Sequence, residues 1–148
     1  MATLERGKYG YAFASGMAAM TTVIAMLKSG DEVICVDDVY GGSERLLIKV
    51  AAPRWGVKAK ICSMEDPGEI RKNLTAQTKM LWIESPTNPF LKIVDIRACV
   101  DVVKGYNKDI LIVVDNTFAS PVLQNPLNMG ADLVLHSVTK YIGGHSDV

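Results

Sequence analysis

The 148 residues carry 16 basic and 16 acidic side chains, a formal charge of zero and a pI near 6.7. With no charge excess, nothing draws the chain to nucleic acid or to an anionic lipid surface, and a small molecule is the expected ligand. A hydrophobic content of 49% supports one domain with a buried core and excludes a disordered chain.

Met1 to Gly10 hold Glu5, Arg6 and Lys8 with no apolar run behind a basic start, so no secretory leader is expected. No later stretch is long enough to span a bilayer. Cys35, Cys62 and Cys99 are odd in number, widely spaced and set among apolar neighbours, which points to reduced core thiols and a cytoplasmic chain.

From Ser15 onward, amphipathic helices alternate with short apolar runs that lack period-two alternation. This pattern predicts an α/β fold, a mainly parallel sheet covered by helices on both faces. Ser15 can cap a first helix whose Met20, Val23, Ile24 and Leu27 share a face, with Gly30 at its exit. Val33 to Val36 is a buried strand, Ser43 to Ala52 a helix ended by Pro53, and Val57 to Cys62 the next strand. Asp66-Pro67-Gly68-Glu69 opens another helix, with Asp66 as cap, Pro67 at the first turn and Glu69 able to reach back as in a capping box. Lys79 to Glu84 follows as a strand. Asp95 can then cap a helix with Ile96, Cys99, Val100 and Val103 on one face, ended by Gly105. Ile110 to Val114 and Asp132 to His136 are the last strands. No repeat or linker divides the chain, and the closing Gly143-Gly144-His145-Ser146 reads as a turn leading onward, so a fragment of a longer protein is expected.

Polar residues collect where these strands end: Tyr40, Glu84, Asn88, Asp115, Thr117, Ser137, Thr139 and Lys140. In open α/β sheets, ligands bind at the carboxyl ends of strands. Singly, each residue has a plain structural reading. Lys140 is a solvated loop lysine, Asp115 a turn or capping residue, Tyr40 a half-buried tyrosine and Asn88 part of an Asn-Pro turn. Together they suit a molecule carrying both a phosphate and an aldehyde. Ser137 and Thr139 can hold an anion while the Lys140 ammonium reaches past it to a carbonyl carbon. Pyridoxal 5'-phosphate is such a molecule, needing an amine, a carboxylate for its ring nitrogen and donors for its phosphate. Upstream, Ala14-Ser15-Gly16-Met17 starts a helix with small residues, so its backbone N–H groups can approach a phosphate. Tyr40, before Gly41-Gly42, can lay its ring against a heteroaromatic group, and the Asn88 amide can donate to a ring oxygen.

Several ordered segments carry a family resemblance: Ala12-Phe13-Ala14-Ser15-Gly16-Met17-Ala18-Ala19, Asp38-Val39-Tyr40-Gly41-Gly42, Trp82-Ile83-Glu84-Ser85-Pro86-Thr87-Asn88-Pro89, Val114-Asp115-Asn116-Thr117-Phe118, and Ser137-Val138-Thr139-Lys140-Tyr141 with Gly144-His145-Ser146-Asp147 beyond it. The chain thus resembles the Cys/Met-metabolism family of pyridoxal-phosphate enzymes almost end to end. Trp82-Ile83-Glu84, Asp109-Ile110-Leu111 and His145-Ser146-Asp147-Val148 lean toward members that carry out γ-elimination. The resemblance implies that residues 1–148 are part of the large cofactor domain of a fold-type I enzyme. It implies a lyase of transsulfuration that cleaves C–S bonds in sulfur amino acids, foremost cystathionine to cysteine, 2-oxobutanoate and ammonia. Lys140 would carry the cofactor and act as general base, Asp115 would pair with the ring nitrogen, and Tyr40 would stack on the ring and serve as a proton donor. Ser15, Gly16, Met17, Ser137 and Thr139 would hold the phosphate, and Asn88 and Thr117 would support the ring.

The same resemblance implies a homotetramer and pieces not found here. These are an arginine and tyrosine that reach a neighbouring subunit's phosphate, and an arginine in a C-terminal substrate domain that clamps the substrate carboxylate. Arg6, Arg45, Arg54, Arg71 and Arg97 match neither position. Other enzymes of the family, catalysing β-elimination, γ-replacement or the γ-elimination of methionine, and a cofactor-binding module without catalysis are the rival readings. No Gly-x-Gly-x-x-Gly follows a strand, which speaks against a dinucleotide enzyme. The spacing of Asp132, His136, His145 and Asp147 matches no familiar zinc pattern, so no metal is expected, and His136 reads as a packed or hydrogen-bonded histidine.

Overall fold

The computed structural model describes residues 1–147, and Val148, the last residue of the His145–Val148 motif, lies outside the described residues. Apolar runs become strands because the central ones bury both of their faces. These are β1 (Glu32–Val36), β2 (Lys58–Cys62), β3 (Thr78–Glu84), β4 (Leu111–Asp115) and β5 (Leu133–Leu135). They form one five-stranded sheet in the order β2-β1-β3-β4-β5, and every pairing is parallel. The expected α/β architecture is therefore present. Its interior strands β1, β3 and β4 are almost wholly buried, whereas β2 at the edge is half exposed.

The helices are α1 (Ala2–Glu5), α2 (Gly16–Ile24), α3 (Gly41–Arg45), α4 (Pro67–Asn73), α5 (Ile96–Tyr106) and α6 (Ser120–Leu123). Strand order explains where they pack. The connection from β1 to β2 runs one way along the sheet and the later ones run the other way, so right-handed crossovers put α3 and α4/α5 on opposite faces. In agreement, α4 packs on α5, and α2 packs on α3. Order reverses between β1 and β3, where the loops leaving the two strands diverge and open a crevice at their carboxyl ends.

The capping chemistry is that of the sequence. Ser15 accepts from Ala18 N, Asp66 from Gly68 N and Asp95 from Ala98 N. Three expectations are corrected. Pro53 does not end its helix, because α3 continues as a π-helix over Leu46–Trp55, and the wider turn makes room for the proline ring. That segment ends at Gly56, whose φ of 70° suits glycine. Gly105 lies inside α5, which runs one residue further to Tyr106. Glu69 does not reach back to its cap, since Lys72 Nζ holds its Oε1 at 2.6 Å.

Leu81, in the middle of β3, has no exposed surface, while Ile61 on edge strand β2 is 41% exposed. Leu81→Ala should therefore lower unfolding free energy by about 2–5 kcal/mol, and Ile61→Ala by only about 0.5 kcal/mol. Urea midpoints of the two variants check the contrast.

Candidate functional site

Four of the five strands, β1, β3, β4 and β5, deliver polar residues at or just beyond their ends, at the same edge of the sheet. Tyr40 follows β1, Asn88 follows β3, Asp115 and Thr117 end and follow β4, and Ser137, Thr139 and Lys140 follow β5. The first turn of α2 adds Ser15, Gly16 and Met17. All of these line one cavity of about 200 Å³. Every site residue expected from the sequence is thus brought to a single place.

At the end of β4, Asp115 is fixed by its neighbour. Its Oδ1 accepts from Thr117 N at 3.0 Å and from Thr117 Oγ1 at 2.5 Å, leaving Oδ2 without a partner among the described residues. Burial raises the Asp115 carboxyl above its usual range, while both Thr117 bonds and the charges of His136 and Lys140 pull it down. A cation beside it would complete the site. Thr117 Oγ1 also accepts from Ser137 N at 2.8 Å, joining the end of β4 to the segment after β5.

In that segment the Ser137 and Thr139 hydroxyls stand 3.0 Å apart, and Lys140 Nζ donates to Thr139 Oγ1 at 3.0 Å and to Ser137 Oγ at 3.4 Å. Two hydroxyls and an ammonium on one spot make an anion subsite. The N-terminus of α2 adjoins it. Ser15 Oγ is used to cap Ala18 N, so the Gly16 and Met17 N–H groups remain without partners among the described residues. Glycine at position 16 is dictated by crowding, because a Cβ there would stand 2.9 Å from Ser137 Cβ. At Gly42, an added Cβ would collide with the Tyr40 ring and lie 3.1 Å from Met17 Sδ, so that glycine lets the ring fold over α3 beside the phosphate-type subsite. Tyr40 itself is 48% exposed.

The sequence model of the Cys/Met metabolism PLP-dependent enzymes matches residues 1–148. The chain belongs to this family. Among similar proteins are putative cystathionine gamma-lyase 2 of Caenorhabditis elegans and cystathionine beta-lyase of Coxiella burnetii. Each is 49% identical over the whole chain, which covers 38% of either protein. The crystal structure of cystathionine gamma-lyase from Lactobacillus plantarum complexed with L-serine superposes with a TM-score of 0.95 at 45% identity, over 99% of this chain and 38% of that one. The chain therefore spans less than half the length of these relatives.

The family's cofactor is pyridoxal phosphate, and the residues present fit it. The free Asp115 Oδ2 suits a ring N–H, the unpaired N–H groups of α2 with the two hydroxyls suit a phosphate, and Lys140 supplies an amine. Some lining residues carry no signal of a role in the sequence. Glu84 stands out there only as one of the strand-end cluster, although it closes β3 beside Asp115. Ser43, Met20, Phe118 and Leu135 also line the cavity. The buried pair of His136 and Glu5 stands behind it, with His136 Nε2 2.5 Å from Glu5 Oε1. Only long-range packing joins those two, so no local pattern announces them. His136 is hydrogen-bonded, as its place at a strand end suggested.

Gly16→Ala should cost about 1–3 kcal/mol of stability, because Ser137 Cα and Cβ are in the way. Gly41→Ala, where nothing lies within 4 Å of the added carbon, should stay within about 0.5 kcal/mol of the parent. Chemical denaturation of both separates crowding at the anion subsite from a general intolerance of side chains.

Proposed function

We propose that residues 1–148 are the cofactor-binding part of an enzyme that cleaves C–S bonds in sulfur amino acids, and that its reaction is the γ-elimination of cystathionine to cysteine, 2-oxobutanoate and ammonia. The observation that carries this reading is the gathering of Lys140, the Ser137 and Thr139 hydroxyls and Asp115 around one cavity at the carboxyl edge of the sheet. Pyridoxal phosphate, when bound, supplies an electron sink for negative charge at the substrate Cα. The chain supplies the rest. Lys140 Nζ would hold the cofactor's aldehyde end and, once the substrate amine has taken its place, would be the free base for the Cα proton. Asp115 Oδ2 would keep a proton on the ring nitrogen, and Thr117 keeps Asp115 in place. The N–H groups of Gly16 and Met17, with Ser15, Ser137 and Thr139, would hold the phosphate. Asn88 and Tyr40, which line the same cavity, would support the ring, and the Tyr40 hydroxyl would donate the proton that the departing sulfur needs.

No arginine lines the cavity among the described residues, so the substrate carboxylate needs a clamp from a further, C-terminal substrate domain. Losing such a clamp costs about 2–5 kcal/mol, and residues 1–148 alone should turn over poorly. We extend the reading to a cytoplasmic homotetramer. The three free cysteines suit a reducing compartment. Tyr11, Val122 and Leu123, each more than 80% exposed, suit burial between subunits. A second reading, β-elimination by a cystathionine β-lyase, is kept because the Coxiella relative so named is as similar as the worm protein.

Adding pyridoxal phosphate, reducing with borohydride and mapping peptides should place the label on Lys140. Lys140→Ala should lose that label while retaining weak affinity through the phosphate subsite. Label scattered over surface lysines would refute the assignment. Cystathionine given to the protein with its substrate domain should yield cysteine and 2-oxobutanoate, and release of homocysteine and pyruvate would instead establish β-elimination.

A further inference from the structure

We propose that Glu84 is a positioning residue of this site: it anchors the backbone of Tyr40 and carries the proton of the Glu84–Asp115 pair, so that Asp115 is the anion presented to the cavity. The inference rests on the cofactor-binding reading above and adds a residue to it.

Glu84 ends β3, Asp115 ends β4, and the two are partners in register. In a parallel pair their side chains leave the same face of the sheet about 4.8 Å apart at the backbone. Both line the cavity. Glu84 is only 5% exposed, and its Oε2 accepts from Tyr40 N at 3.1 Å. That bond crosses from β3 to the loop after β1 and sets where the tyrosine begins its fold over Gly42. Oε1 of Glu84 has no partner among the described residues.

The two carboxyl groups are unequally supported. Asp115 has two donors from Thr117, with the charges of His136 and Lys140 also favouring its anion. Around Glu84, β1 and its following loop present the Cys35 thiol and Asp38, β4 presents Asp115, and α3 presents the uncharged Ser43. None of these is a cation. Burial, then the charge of Asp115, push the Glu84 carboxyl up, the Tyr40 N–H works against them, Asp38 adds to them, and the group reaches about 8. Two like charges this close do not both ionise readily, and the proton goes to the less supported partner. Near neutral pH that is Glu84.

Because the folded-state value lies above the usual 4.5, the group's stabilising contribution is complete below about 4.5 and is lost as pH rises through about 8. The cofactor-free protein should therefore melt at falling temperature across that window, and Glu84→Gln should flatten the fall. Pyridoxal phosphate affinity should be titrated for both proteins near pH 7 and above pH 9. The ratio of wild-type to Glu84→Gln dissociation constants should rise about tenfold with pH, a comparison that cancels pH effects common to both proteins. Parallel melting curves together with a constant ratio would overturn the proton assignment. Glu84→Leu removes the acceptor for Tyr40 N and should bind at least about threefold more weakly than Glu84→Gln near pH 7. Equal affinities would remove the anchoring role. Should Glu84→Gln fail to fold, infrared difference spectra of the wild-type protein with isotopically labelled glutamate decide instead. A protonated-carboxyl band present at pH 7 and lost near pH 8 supports the assignment, and its absence at pH 7 ends it. The melting and infrared measurements use cofactor-free protein, so they still test Glu84 where Lys140 fails to take up the label.

Discussion

The Thr117 hydroxyl holds the site together. Its Oγ1 donates to Asp115 Oδ1 and accepts from Ser137 N, so the carboxylate at the end of β4 and the anion subsite after β5 share one atom. Hydroxyls can do this because they both donate and accept. A valine at that position would preserve volume but leave Asp115 with only the Thr117 backbone N–H as donor, and leave Ser137 N unpaired. The distance between the cavity's negative end and its positive end is then fixed by two adjacent strands in register, Asp115 opposite Leu135, not by a flexible loop. A site that must match both ends of a rigid planar molecule needs this stiffness.

Two glutamates at opposite ends of the sheet separate structural burial from functional burial. Glu32, at the amino end of β1, is buried, and burial would raise its carboxyl. Thr78 at 2.7 Å, Lys60 at 3.0 Å and Thr75 at 3.1 Å outweigh that and leave it below its usual value. It ties β1, β2 and the start of β3 together. Glu84, at the carboxyl end of β3, has one backbone donor and an anionic neighbour. Buried ionisable groups that the fold leaves undersupported are found where chemistry uses them. The carboxyl edge has the cavity, and the amino edge has the satisfied ion pair.

Much of this was legible from residue order. Apolar runs marked the strands because β1, β3 and β4 are covered on both faces, and Ser15, Asp66 and Asp95 marked helix starts because each cap acts within three residues. Those are local interactions, and local sequence reports them. The polar residues at strand ends were legible for a different reason: a parallel sheet forces all its strands to finish at one edge, so their terminal residues meet whatever the loops do. What escaped was non-local or contextual. Pro53 is tolerated by a π-turn in the segment that links β1 to β2, which nothing at its own position announces. The His136–Glu5 pair joins residues far apart in sequence. The weight of Glu84 comes from its cross-strand neighbour and from burial, neither of which can be read at its own position.

Charge in the cavity sets a further condition. Among the described residues lining it, Lys140 is the only cation, set against Asp115 and the proton-bearing Glu84. A bound phosphate brings up to two negative charges, and the N-terminus of α2 offers the equivalent of about half a positive charge. The Ser137 and Thr139 hydroxyls add donors but no charge. If Lys140 is committed to the aldehyde end, it no longer counts as a full cation beside the phosphate. The phosphate end built by this chain therefore offers hydrogen-bond donors but is short of positive charge. That deficit is the physical argument behind the proposal that further cations reach the site from outside residues 1–148.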